Sequence, residues 1–147
     1  MKKSSGIFYT DGWNFLILLK NSKNKIWSIP GGKQEKDETS WETACRETKE
    51  EIGILPNGVE IGKFPDFYKK NYFVTYVIMI EKSFDCTLSE EHLDYKWINF
   101  DETNNYNLHE RLLKKIDLFK NYIFTMCEIS KYKSINNNLN ATNRVFR

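Results

Sequence analysis

The sequence predicts a single α/β domain, and three observations lead to that fold class. With 147 residues, the chain has the length of one domain with its own hydrophobic core. Short runs of β-branched and aromatic residues, separated by turn-forming residues, recur along the chain as strands do. Two other segments repeat their apolar residues at helical spacing. Strands combined with helices in one domain define the α/β class.

The N-terminal region predicts a β-hairpin and a third, shorter strand. Residues 7–10 and 15–20 are runs of strand-forming residues, and Asp11-Gly12 between them supplies the positive φ that a tight turn requires. After a polar loop, residues 26–29 form a short strand. Pro30-Gly31-Gly32 ends this strand, because prolines and glycines interrupt regular structure.

The first of the two helices is predicted over residues 41–52, which is about three turns. Thr39 or Ser40 can cap its N-terminus, because a hydroxyl oxygen accepts a hydrogen bond from a free backbone N–H. Gly53 can end the helix in the left-handed conformation, which glycine adopts without steric cost.

Three further strands and a terminal helix are predicted after this helix. Residues 59–64 and 72–81 form two of the strands, and the nearly continuous apolar run of the second places it inside the sheet. Residues 95–100 form the last strand. Apolar residues at helical spacing then mark an amphipathic helix: Leu108, Leu112, Leu113, Ile116, Phe119 and Ile123. Residues 1–130 are therefore expected to form the domain, and the asparagine-rich segment 131–147 a disordered tail.

Charge, cysteine content and hydropathy exclude several functional classes. The formal net charge of +2 is too small for a strong field that attracts nucleic acids or membranes. The three cysteines lie far apart without Cys-x-x-Cys spacing, which argues against a disulfide framework or a zinc site. No apolar run resembles a signal peptide or is long enough to span a bilayer. We therefore expect a cytoplasmic protein without a membrane partner.

One face of the first predicted helix concentrates three carboxylates. Glu47, Glu50 and Glu51 are related as i, i+3 and i+4, so they share a sector about 100° wide. The core stripe of the helix lies elsewhere and holds Trp41, Ala44, Cys45, Thr48 and Ile52. Like charges at this spacing destabilise a helix by a few tenths of a kcal/mol per pair, which indicates that a cation lies among them. Clustered carboxylates suit Mg²⁺ or Mn²⁺.

The segment before this helix completes a recognisable motif. Pro30-Gly31-Gly32 leaves backbone N–H groups accessible to an anion, and Glu38 can bring a fourth carboxylate. The motif runs from Gly32 through five residues to Glu38, and through seven more to segment 46–54, Arg-Glu-Thr-Lys-Glu-Glu-Ile-Gly-Ile. It resembles the Nudix box, G-x5-E-x7-R-E-U-x-E-E-x-G-U, in which U is a bulky aliphatic residue. The resemblance extends over most of residues 5–128.

Thr48 departs from this pattern, because the Nudix box has an aliphatic residue at its position. Its methyl group can pack in the core. We expect its hydroxyl to bond to a carbonyl one turn back, with a modest loss of stability and no loss of chemistry.

The resemblance implies an α/β/α sandwich with a mixed sheet and a hydrolase acting on a nucleoside diphosphate linked to another group. By position, the metal ligands are Glu47, Glu50 and Glu51, with Glu38 helping directly or through water and Gly32 contributing its backbone. The implied cofactor is Mg²⁺ or Mn²⁺, which bridges phosphate oxygens and lowers the pKa of bound water.

Further residues have orienting, proton-transfer or phosphate-binding roles. Arg46 is predicted to orient a neighbouring glutamate by charge-assisted hydrogen bonds. Glu50 and Glu51 are expected to be needed for turnover. Glu51 is the first choice for the general base and Glu91 the alternative. Lys33 follows the glycines and is a candidate phosphate contact, although a solvated lysine fits equally well. The two histidines receive no catalytic role.

The substrate class is left open by the sequence. Residues 27–33 are similar to a segment of MutT-type enzymes, which favours a nucleoside triphosphate pyrophosphohydrolase. Residues 91–97 are similar to a segment of dinucleoside polyphosphate hydrolases and of some deoxynucleotide or pterin triphosphate hydrolases. Lys69-Lys70 and the basic C-terminus make an RNA 5′ end or cap a further alternative. A Nudix domain that binds nucleotides without turnover is the alternative of another class, although such domains generally lose box carboxylates that this chain retains.

Overall fold

The computed structural model describes residues 1–135, with side chains up to Lys131, and contains one mixed β-sheet with a helix on each face. Its elements in chain order are β1 (Lys2–Thr10), β2 (Asn14–Lys20), β3 (Trp27–Ser28), β4 (Gly31–Lys33), α1 (Ser40–Ile52), β5 (Val59–Tyr68), β6 (Asn71–Met79), β7 (His92–Asn99), a 3₁₀ helix (Phe100–Asn105) and α2 (Glu110–Ile135). The predicted α/β class is confirmed. Neither helix within these residues combines the length and apolar character required to cross a bilayer.

The sheet contains both parallel and antiparallel strand pairs. Its main order is β3-β2-β1-β6-β5, with β4 also paired to β1 and β7 to β2. Strands β1 and β6 are parallel, and the other pairs are antiparallel. Strand β6 lies between β1 and β5, as its continuous apolar run predicts.

Two hydrophobic cores lie on opposite faces of this sheet. Because side chains alternate along a strand, Ile7 and Tyr9 of β1 face one core and Phe8 faces the other. The first core includes Ala44 and Ile52 of α1. The second includes four residues of α2: Leu112, Ile116, Phe119 and Ile123. The predicted α/β/α sandwich with a mixed sheet is confirmed.

Helix α1 begins and ends at the residues that the sequence indicates. The Thr39 side chain accepts a hydrogen bond from the Glu42 N–H at 3.1 Å, and the Glu42 side chain accepts one from the Thr39 N–H at 3.0 Å. Gly53 has φ 81°, a left-handed conformation that ends the helix. These caps fix the position of the last turn, which carries Glu50 and Glu51.

The structure differs from the predictions at several places. Strands β1, β5 and β7 are longer than predicted: β1 begins at Lys2, β5 reaches Tyr68 and β7 begins at His92, because pairing with neighbouring strands extends them. Strand β4 occupies Gly31–Lys33, where we predicted only an interruption, because these residues pair with β1. The Thr48 hydroxyl is buried and has no hydrogen-bond partner among the described residues, so the predicted bond to a carbonyl is wrong. Helix α2 continues to Ile135, beyond the domain boundary that we expected at residue 130. The rest of the predicted tail, 136–147, lies outside the described residues.

Candidate metal and catalytic site

Glu51 lies at the centre of a nearly closed site between α1 and β4. Its side chain is 3% exposed. One carboxylate oxygen accepts a hydrogen bond from the Gly31 N–H at 2.8 Å, and the other lies 3.8 Å from Nε2 of His92. Glu51, Glu91 and His92 each place one ligand atom within 4.8 Å of the others. Residues from three distant parts of the chain therefore meet at one point.

The segment before β7 brings Glu91 and His92 to Glu51. The Thr87 N–H donates to the Ile52 carbonyl at 3.0 Å, and the Ser89 N–H donates to the Glu51 carbonyl at 3.1 Å. Both acceptors are carbonyls that the end of a helix leaves without intrahelical partners. The segment thus supplies hydrogen-bond donors to carbonyl groups in the last turn of α1, and it fixes the start of β7 beside the Glu51 side chain.

The carboxylates of this site repel one another, and the positive charge of Arg46 offsets this repulsion only in part. Burial raises the pKa of Glu51 to about 8; the hydrogen bond from Gly31 opposes this rise, and the charges of Glu47, Glu91 and Glu50 add to it. Burial also raises the pKa of Glu47, although Arg46 acts in the opposite direction. A cation placed among these groups would relieve both the burial and the repulsion.

Arg46 holds the outer side of the site through charge-assisted hydrogen bonds. Its Nη1 donates to Glu47 at 3.0 Å and contacts Glu50 at 3.3 Å. Its Nη2 donates to the Lys33 carbonyl at 3.0 Å. Its Nε and Nη2 donate to the two carboxylate oxygens of Glu38 at 2.6 and 3.0 Å. Arg46 thus links three carboxylates to strand β4, while the Glu50 side chain stays 55% exposed at the rim.

The Glu38 carboxylate accepts hydrogen bonds from Arg46 and from two further donors. Its Oε1 also accepts from the Glu35 N–H at 2.8 Å and from the Thr43 hydroxyl at 2.9 Å. The hydrogen bonds from Arg46, followed by that from the Glu35 N–H, lower the pKa of Glu38 to about 2. The structure therefore places Glu38 behind Arg46, apart from the group formed by Glu51, Glu91 and His92.

Gly32 leaves room for the Glu47 carboxylate against the backbone. A Cβ atom at Gly32 would lie 2.6 Å from each carboxylate oxygen of Glu47. Any residue with a side chain at this position would therefore displace Glu47. The neighbouring Lys33 has an exposed side chain, and its carbonyl accepts the hydrogen bond from Arg46. Gly32 is therefore part of the carboxylate site, whereas Lys33 contacts it through the backbone.

His92 is the residue that sequence reasoning missed. Burial, followed by the charge of Lys20, lowers the pKa of His92 to about 4, so the imidazole is neutral near pH 7. Its Nδ1 is buried and has no hydrogen-bond partner among the residues described. The available signal was its position next to Glu91, the alternative general base.

The donor set fits a hard divalent cation. Carboxylate oxygens of Glu47, Glu51 and Glu91 are the ligands that Mg²⁺ and Mn²⁺ prefer, and a neutral imidazole suits a transition metal such as Mn²⁺. The raised pKa values of Glu47 and Glu51 agree with a cation at this point. Glu51, Glu91 and His92 could hold the ion, with Glu47 beside Gly32 and Glu50 at the rim as further carboxylates.

An α/β/α sandwich that places clustered helix carboxylates against a glycine pair defines the Nudix fold class. The family model described as NUDIX domain matches residues 2–119, and the chain belongs to the Nudix hydrolase family.

Curated relatives include two kinds of nucleotide hydrolase. The chain is 35% identical over 98 residues to the bis(5′-nucleosyl)-tetraphosphatase [asymmetrical] of Sus scrofa, covering 60% of this chain and 65% of the relative. It is 28% identical over 96 residues to the nucleoside triphosphatase NudI of Klebsiella pneumoniae (strain 342), covering 56% of this chain and 68% of the relative. The match to the Sus scrofa protein thus spans slightly less than two thirds of its length.

Solved structures show the same fold. A C. elegans Ap4A hydrolase binary complex matches with a TM-score of 0.69 and 22% identity, covering 84% of this chain and 98% of that chain. The MutT protein from Methanosarcina mazei Go1 matches with a TM-score of 0.59 and 25% identity, covering 88% of this chain and 95% of that chain.

Proposed function

We propose that the protein hydrolyses a phosphoric anhydride bond of a nucleotide with the help of Mg²⁺ or Mn²⁺. The observation that carries this proposal is the buried Glu51 carboxylate, held by the Gly31 N–H among Glu47, Glu91 and His92. The retained carboxylates favour turnover over nucleotide binding alone. When bound, the cation would neutralise these carboxylates, screen charge at the attacked phosphoryl group and lower the pKa of a water molecule.

The protein's own residues have separable roles in this reaction. Gly31 fixes one oxygen of Glu51, so the other oxygen is available to take a proton from the attacking water. Glu91 is the alternative base, since its carboxylate reaches the same point. Arg46 keeps Glu47 and Glu50 in position.

Dinucleoside tetraphosphates are the substrate class that we place first. The 35% identity to the Sus scrofa tetraphosphatase supports this choice. Residues 91–97, which supply Glu91 and His92 to the candidate site, resemble dinucleoside polyphosphate hydrolases as well as some deoxynucleotide or pterin triphosphate hydrolases, so they agree with this class without selecting it.

Nucleoside triphosphates are the second candidate class. The 28% identity to NudI supports it, and residues 27–33, which resemble MutT-type enzymes, supply Gly31 and Gly32 to the same site. The RNA alternative depends partly on basic residues near the C-terminus that lie outside the described residues.

A substrate panel tests both the activity and its class. Purified protein is incubated with dinucleoside tetraphosphate, the nucleoside triphosphates and capped RNA, each with Mg²⁺, Mn²⁺ or chelator, and products are separated by ion-exchange chromatography. We expect cation-dependent cleavage, fastest with the dinucleoside tetraphosphate. Tight nucleotide binding without cleavage of any substrate would instead identify a binding domain.

Three variants test the assignment of residues. Glu51→Gln and Glu47→Gln are expected to reduce kcat by at least about a hundredfold. Glu81→Gln is the matched control, because Glu81 is exposed after β6 and outside the site. Normal turnover by Glu51→Gln and Glu47→Gln would refute the site.

A further inference from the structure

Helix α1 covers only part of the sheet face on which it lies. It packs mainly against β1 and β4, whereas β5 is at the far edge of the main sheet. Phe64 of β5 packs in the core under α2, so the alternating residues Lys63, Pro65 and Phe67 lie on the α1 face. All three are exposed. The α1 face of the sheet is therefore open to solvent along β5.

Two aromatic side chains, which we call the aromatic pair, lie next to each other on this open face. Tyr72 of β6 is directly opposite Phe67 of β5 in the antiparallel register, and their ring centres are 5.1 Å apart. Tyr72 packs partly against the core, whereas Phe67 is 66% exposed. The Tyr72 ring thus holds the Phe67 ring in place, and most of the Phe67 ring remains available for stacking with a planar ligand.

A basic depression lies beside this aromatic pair, at the end of the sheet where β1 begins. Its volume is about 460 Å³, and it is lined by Met1, Lys2, Lys3, Lys33, Gln34, Glu35 and Lys36. Its one carboxylate, that of Glu35, lies 3.7 Å from Arg46. Within residues 1–131, none of the four lysines forms an ion pair. The depression therefore carries positive charge that the described residues do not neutralise.

The register of the sheet connects the basic depression to the aromatic pair. Lys3 of β1 is the strand partner of Tyr72, and Tyr72 is the strand partner of Phe67. Because side chains alternate along β1, Lys3 lies on the same face as Ile7, which packs in the core under α1. Neighbouring strands lie about 4.8 Å apart, so the backbones at Lys3 and Phe67 are about 10 Å apart. One row across the sheet thus presents a cation and two aromatic rings.

We propose that the aromatic pair and the basic depression together bind single-stranded nucleic acid. An unpaired base stacks on the exposed ring of Phe67, and Lys3 and Lys36 bind the neighbouring phosphates. The bases of a duplex already stack on one another, so a single strand fits this surface better. Since the net charge of the chain is only +2, the attraction comes from the local cluster of lysines.

This surface differs from the carboxylate site in its residues and in the sign of its charge. Glu47, Glu51 and His92 do not line the basic depression, so the proposal does not depend on hydrolysis. An anionic membrane is another partner that lysines attract, but it binds proteins through apolar side chains that insert between lipids. Tyr72 is partly packed in the core and offers only a ring face, which suits a planar base.

Binding of labelled oligonucleotides in chelator tests this proposal without turnover. An oligoribonucleotide of about 12 nucleotides without a 5′ phosphate, and the oligodeoxyribonucleotide of the same sequence, carry fluorescein and are titrated with the full-length chain. We expect a saturable rise in fluorescence anisotropy, with weaker binding of the corresponding duplex. Binding of either single strand supports the proposal, and the two affinities show which sugar the surface prefers. Tighter binding of the duplex would contradict it.

Two variants and a control test the role of the aromatic pair. Phe67→Ala removes the exposed ring and should weaken binding of the single strand at least about fivefold. Phe67→Tyr keeps an aromatic ring and should bind nearly as well as the wild type. Trp13→Ala removes another exposed aromatic side chain, at the β1–β2 turn, and should leave the affinity unchanged. Equal affinity of wild type and Phe67→Ala would overturn the proposal.

The dependence of binding on salt tests the role of the lysines. Each phosphate contact on a single strand contributes about −0.7 to the slope of log K against log salt concentration, so the double variant Lys3→Gln, Lys36→Gln should have a slope shallower by about 1.4. Lys23→Gln is the matched control, because Lys23 is exposed in the β2–β3 loop outside the depression. An unchanged slope in the double variant would overturn the proposal, as would binding of phosphatidylserine vesicles without binding of either single strand.

Discussion

The stability of the metal-free protein is expected to fall as the pH rises towards the pKa of Glu51. The ordinary pKa of this carboxyl is 4.5, and burial raises it to about 8 in the folded chain. The folded state therefore holds the proton more tightly than the unfolded state. The resulting contribution to stability is complete below about pH 4.5 and is lost as the pH rises through about 8.

The size of the expected fall in stability follows from the shift in the pKa of Glu51. One pKa unit corresponds to about 1.4 kcal/mol, so the free energy of unfolding should fall by about 2 kcal/mol between pH 6.5 and 8. His92 contributes with the opposite sign, because burial lowers its pKa from 6.5 to about 4 and its contribution is lost as the pH falls through that range. Between pH 6.5 and 8 this opposing change is only about 0.4 kcal/mol, because an imidazole of ordinary pKa is no more than half protonated in that range. Glu47, whose pKa burial also raises, acts in the same direction as Glu51. For a chain of this length, we expect a drop in Tm of about 4–8 °C.

Thermal and urea unfolding in chelator, at several pH values between 6.5 and 8, measure this decline. Glu51→Gln should remove most of it, because glutamine carries no titrating proton. Glu81→Gln is the matched control, since Glu81 is exposed and outside the site, so its loss should leave the decline in place. Mn²⁺ or Mg²⁺ should reverse the decline in the wild type. Equal slopes in wild type and Glu51→Gln would refute the assignment of the buried proton to Glu51.

Three further substitutions test the surroundings of the site. Arg46→Lys loses the paired hydrogen bonds to Glu38, and it should lower the free energy of unfolding in urea by about 1–2 kcal/mol; an unchanged value would contradict this role. Thr48→Val removes a buried hydroxyl without a described partner and should raise that free energy by about 1 kcal/mol, whereas a decrease would indicate an unseen partner. Gly32→Ala displaces Glu47 and should weaken Mn²⁺ binding about tenfold by calorimetry with little change in Tm; normal affinity would show that Glu47 is not a ligand.

Helices and strands whose caps or turn residues lie within the same segment of the chain could be predicted from the sequence. Helix α1 was predicted over residues 41–52 and occupies Ser40–Ile52, because its caps Thr39 and Gly53 lie within the segment itself. The hairpin of β1 and β2 follows from Asp11-Gly12 in the same way. Strand β4 lacks such a signal, because its three residues are extended only through their pairing with β1.

The charge state of the candidate site could not be predicted in this way. The helical wheel places Glu47, Glu50 and Glu51 in one sector and separates all three from the core stripe. Glu51 is buried because β4 and the segment before β7 cover it, and both come from other parts of the chain. His92 becomes part of the site for the same reason. Helical spacing therefore identifies which residues share a face of the helix, whereas tertiary contacts decide which of them are buried and which residues from elsewhere join them.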